Sequence, residues 1–147
     1  MYGDATAIRR LAGRMREQAD EIRGAAARLA GHTDRVAWHG LAADAMRRHL
    51  DHRLAALLDT ARLHDDAADA LDRHADEVQR LQDLIATIEH KVTGLVGAAR
   101  DRIADLGRGL LDRLTDAVPD PRDLLLSDFR PPPAGDAAWL RVELPGL

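Results

Sequence analysis

All six prolines lie at or beyond Pro119, so the first 118 residues contain no residue that must break a helix. Within that stretch apolar residues return every seven positions. Asp4, a good N-cap, is followed by Ile8, Met15, Ile22, Leu29 and Val36, with Ala12, Ala19 and Ala26 interleaved. A seven-residue period is the seam of a helical pair, and small residues in it let a partner backbone come close. The pattern predicts a helix from about residue 5 to about residue 35.

A second stripe starts after Gly40 with Met46, Leu50, Leu54, Leu57, Ala61, His64, Ala68, Leu71, Ala75 and Val78. It continues in phase through Leu81, Ile85, Ile88, Val92, Leu95, Ala99, Ile103, Leu106 and Leu110. Acid-before-base pairs four residues apart (Asp44–Arg48, Asp69–Arg73, Asp76–Arg80) agree with helix. His64, the one polar member of the stripe, reads either as a register-setting seam residue or as an exposed stripe edge. Gly94 and Gly97 each cost a helix about 1 kcal/mol, which makes them the expected hinge. Pro119 and Pro121 close the helical part, giving a helical domain over 1–118 and a Pro-rich tail over 119–147. Pro131–Pro133 predict an extended segment, and the alternation of Leu140, Val142 and Leu144 allows a short strand.

Aromatic residues make up only 3% of the chain, too few for an ordinary compact α/β or all-β core. Ala, Leu, Arg and Asp dominate instead, as in long helices with narrow apolar stripes. The fold class expected is all-α: an antiparallel helical hairpin with a long second helix, or a third helix, and a Pro-rich tail. The net charge is −4, and the two signs alternate along the chain, so no basic stripe exists to grip nucleic acid. Cysteine is absent, which removes disulfide and thiolate chemistry. No run approaches the roughly 18 apolar residues of a membrane span, and Met1–Asp4 do not open a cleavable signal.

Between the stripes lies Val36-Ala37-Trp38-His39-Gly40-Leu41-Ala42-Ala43-Asp44-Ala45-Met46-Arg47-Arg48-His49-Leu50. Gly40 supplies backbone freedom for a reversal, and Trp38 is expected to plug the end of the hairpin. This segment resembles the WXG family of small type VII (ESX) secretion proteins, which carry a Trp-x-Gly turn midway in an antiparallel helical hairpin. The family's turn is matched by Trp38 and Gly40, and its downstream pattern by Ala42, Ala43, Met46 and Leu50. The resemblance covers about residues 4–93. It implies a non-enzymatic interaction protein that pairs with a like hairpin, as homodimer or heterodimer. It also implies a cytoplasmic chain or one exported by a type VII system. Two features depart from the family: no Tyr-x-x-x-Asp/Glu signal follows the second helix, since Tyr2 is the only tyrosine, and the chain is longer than ordinary members. A cytosolic coiled-coil adaptor unrelated to secretion is the alternative.

Other constellations point to little chemistry. His49 and His52 share a helix face, but zinc needs three or four ligands and nothing completes the pair. Ser127 is the sole serine, and no phosphate loop or His-Glu-x-x-His occurs. Asp65, Asp66 and Asp69 read as a solvated face. No enzyme, metal, cofactor or small-molecule substrate is therefore expected. The geometry points to partners instead. A first helix of that length reaches only to about Leu71, leaving ten stripe positions from Val78 to Leu110 without a mate. Either residues 98–118 fold back at Gly94–Gly97, or a second subunit covers the seam, and the unbroken phase favours the subunit. The expected interaction stripe is Ile8, Met15, Ile22, Leu29, Val78, Leu81, Ile85, Ile88, Val92 and Leu95.

Overall fold

The computed structural model describes residues 3–33, 35, 37–111 and 118–147. Its described elements are helical: α1 (Ala5–Thr33), α2 (Leu41–Leu111), α3 (Pro121–Ser127) and a 3-10 helix (Ala137–Arg141). Among the described residues there is no strand, and no helix is long and apolar enough to cross a membrane. Val36, the end of the first expected stripe, and residues 112–117 of the expected helix lie outside the described residues. The chain divides into two compact units, Asp4–Glu77 and Val78–Leu147 with Gly3. The boundary expected at residue 118 is thus displaced into α2, and the tail belongs with the later part of that helix.

In the first unit α1 starts as its sequence directs, with the Asp4 carboxylate accepting from the Ala7 N–H at 3.0 Å. It runs antiparallel to the first part of α2, as its ion pairs show. Arg9 meets Asp76 at 2.9 Å and Arg16 meets Asp69 at 2.8 Å, seven residues up one helix and seven down the other. Arg16 also reaches Asp72 at 2.7 Å, and one further step brings Arg23 to Asp65.

The buried seam consists of alanines. Ala5, Ala12, Ala19 and Ala26 of α1 and Ala43, Ala61, Ala68 and Ala75 of α2 are all nearly solvent-free. The residues expected to form it sit at its flanks: Ile8, Met15 and Ile22 are half-buried, and Leu29 is exposed. A methyl at the line of contact sets a shorter interaxial distance than an isoleucine would, pushing longer side chains to the edges.

In the second unit α2 continues without a break through Gly94 and Gly97, so the expected hinge and fold-back do not occur there. The apolar stripe crosses both glycines in phase, and Val92, Val96 and Ala99 are buried on one face. What covers that face is the tail. Trp139, 2% exposed, forms a core with Ile85, Val92 and Val96, and Ile88, Phe129, Leu140, Val142 and Leu144 pack around it. The expectation of a bare Val78–Leu95 stripe awaiting a second subunit is therefore corrected. Val78, Ile85 and Val92 are buried and Leu81, Ile88 and Leu95 half-buried within this chain.

The tail is not extended throughout. Asp120 caps α3, accepting from the Arg122 N–H at 2.8 Å, and Pro121 sits at the first helical position where its missing donor is harmless. The expected strand at 140–144 is a 3-10 turn passing into extended backbone at Val142. The alternation recorded burial against α2, with no neighbouring strand to supply a ladder.

Candidate functional site

The turn between α1 and α2 contains the motif the sequence singles out. Gly40 adopts φ +112°, and a Cβ there would meet nothing within 4 Å, so backbone conformation and not space calls for glycine. Its carbonyl accepts from the Asp44 N–H at 3.1 Å as α2 begins. Arg47 holds the preceding segment: one guanidinium nitrogen donates to the Trp38 carbonyl at 2.7 Å and another lies 3.3 Å from Asp44.

Trp38 does not plug the end as expected, since the residue remains 45% exposed. With Met46 at 53% and Leu41 at 91% exposed, it forms an apolar end to the first unit. Beside it lies a cleft of about 160 Å³ lined by His32, Thr33, Trp38, Ala43, Met46, Arg47 and Leu50. Most of those walls are apolar. The His32 Nδ1 lies 2.6 Å from the Arg28 carbonyl and Arg47 is engaged as described, so the polar groups are turned toward the protein's own backbone. Such a cleft can receive a bulky apolar side chain and holds no nucleophile–base pair.

The other sequence candidates disperse. His49 and His52 gather no further ligand: among the described residues no group of three or more His, Asp or Glu lies placed for a metal. His49 instead stands 3.5 Å from the Arg53 Nε. His64 is half-buried and lies with its Nδ1 2.9 Å from the Thr60 carbonyl of its own helix.

The acidic group read as a solvated face does structural work. Asp65 and Asp69 pair with Arg23 and Arg16 of α1, and Asp76 pairs with Arg9. The seven-residue spacing of Arg9, Arg16 and Arg23 was a readable signal for this, but a linear pattern does not say which acids face it.

In the second unit Asp123 is, among the described residues, the buried charged one. Arg102 grips it with two bonds, Nε to Oδ2 at 2.9 Å and Nη2 to Oδ1 at 2.5 Å. This charge-assisted fork holds the Asp123 carboxyl below the usual carboxylate range, against the opposing effect of burial. The Trp139 indole N–H donates to the Pro133 carbonyl at 2.9 Å. No sequence consideration drew attention to Trp139, because its neighbours show no helical period. No protein-family model, curated protein or solved structure matches the chain.

Proposed function

We propose that this protein is a non-enzymatic interaction module, a WXG-like helical hairpin that acts in a type VII secretion system by pairing with a second, like hairpin. The observation that carries the reading is the apolar turn end, where Trp38, Leu41 and Met46 stand in water beside an apolar cleft. A tryptophan placed at a tight turn but left half-exposed gives the hairpin little of its possible stabilisation. Half-exposed aromatics of this kind are preferred anchors at protein interfaces. The antiparallel pair of α1 and α2, and the match of Trp38, Gly40, Ala42, Ala43, Met46 and Leu50 to the family's pattern, support the same reading. The partner supplies an apolar side chain to the cleft, and homodimer and heterodimer both satisfy that chemistry.

The experiment is affinity isolation of the tagged full chain from its native cells, wild type beside Trp38→Ala. The expected result is a stoichiometric small helical partner encoded with type VII components. It should be lost in the variant while the fold is kept, the loss of stability staying within about 1–2 kcal/mol. Recovery of the same partner by both proteins would refute the role of the turn. A stoichiometric partner without any link to secretion would favour a cytosolic coiled-coil adaptor, the reading that the missing Tyr-x-x-x-Asp/Glu signal supports.

A further inference from the structure

The second unit carries a different device, independent of the secretion reading. We infer that residues 119–147 form a displaceable strap over a self-association seam of α2, which a second copy's identical seam occupies when the strap lifts.

Three observations carry this. The seam is built for a helix: Ile85, Val92 and Ala99 recur every seven residues and are buried, the period that seats a continuous helical mate. The strap meets it with only a seven-residue helix and a five-residue 3-10 turn, joined across Pro131–Pro133. Their fit is incomplete, for a groove of about 230 Å³ stays open where Phe129 and Pro131 face Val96, Gly97 and Arg100.

The strap also keeps most of its polar groups satisfied by itself. Trp139 donates to Pro133, Ala138 N–H to Asp136, and Val142 N–H to the Trp139 carbonyl. Its polar ties to α2 are made by Arg102, Arg100 and Glu89, charged groups at the rim that water solvates once the strap leaves. Lifting it therefore strands no buried donor on α2 and uncovers a stripe of apolar side chains. Two copies presenting the same stripe pair isologously about a two-fold axis.

The test uses the full chain. In the wild type, amide hydrogen exchange should show α3 and the 3-10 turn opening about 100-fold more readily than residues 85–99 of α2. Trp139→Ala should lift the strap, keep the far-ultraviolet helical signal, and bring a concentration-dependent doubling of mass over the wild type in analytical ultracentrifugation. Adding Ile85→Asp should abolish that doubling. Trp38→Ala, which probes the preceding proposal, should leave it in place, so the two ideas fail separately. The inference is overturned if strap and α2 amides exchange as one unit. It is equally overturned if Trp139→Ala keeps the wild-type mass, or if the doubling survives Ile85→Asp.

Discussion

The two tryptophans make unequal forecasts for the same substitution, and measuring both tests the structural argument directly. Trp139 is 2% exposed, wedged among Ile85, Val92 and Val96, with its indole N–H bonded to Pro133. Truncating a buried tryptophan to alanine costs about 3–5 kcal/mol in lost transfer energy and cavity. The lost hydrogen bond adds about 1 kcal/mol at most, because the Pro133 carbonyl can turn to water. Trp38 keeps 45% of its surface in water, so it forfeits only about 1–2 kcal/mol, roughly half the burial term and almost no cavity term. The assay is urea unfolding of both alanine variants, followed by circular dichroism and by the remaining tryptophan's fluorescence. Trp139→Ala should be the costlier by about 2–3 kcal/mol, with its loss concentrated in a transition of the second unit. Equal costs, or a larger loss at Trp38, would refute the assignment of the main aromatic anchor to the tail.

Three further outcomes follow from the packing and the charges. Ala19→Leu, at a position with no exposure, should destabilise the first unit by about 1–3 kcal/mol or more through overpacking. Ile22→Ala, at a half-buried flank, should cost less, which paired thermal melts will decide. Because the folded-state pKa of Asp123 is lowered, its bond to Arg102 stabilises the tail above the ordinary aspartate pKa of about 4. That contribution is lost as pH falls through the lowered value, and Asp123→Asn should flatten the acid limb of a Trp139 fluorescence titration made in a Trp38→Phe background. Gly40→Val forces a β-branched residue to φ +112° and should cost about 1–3 kcal/mol, whereas the open space at that Cβ predicts no clash. Rescue of stability by smaller side chains such as alanine would contradict the backbone explanation.

Periodicity is a local property, and what it governs here was legible in the residues. The proline-free stretch and the stripes around Ile8–Leu29 and Met46–Leu106 carry α1 and α2, and Asp4 and Gly40 mark their starts. The resemblance pointed to the turn at Trp38. Which members of a stripe become the contact line was not legible, since alanine and isoleucine one helical turn apart both lie on the apolar face. The choice of Ala12 and Ala19 over Met15 and Ile22 is made only when the second helix closes to its packing distance. The same holds for charge. Asp69 stands four residues before Arg73 in the chain, yet in the fold it faces Arg16, because antiparallel register is a relation between helices. The tail was the furthest from reach. Trp139 and Phe129 follow no helical or strand period, and the alternation of Val142 and Leu144 marks no strand, for these residues are arranged to fit a surface that another part of the chain provides. A pattern of that kind exists only once Ile85, Val92 and Val96 are in place, which left the sequence to assign that seam to a second molecule when the chain's own last residues cover it.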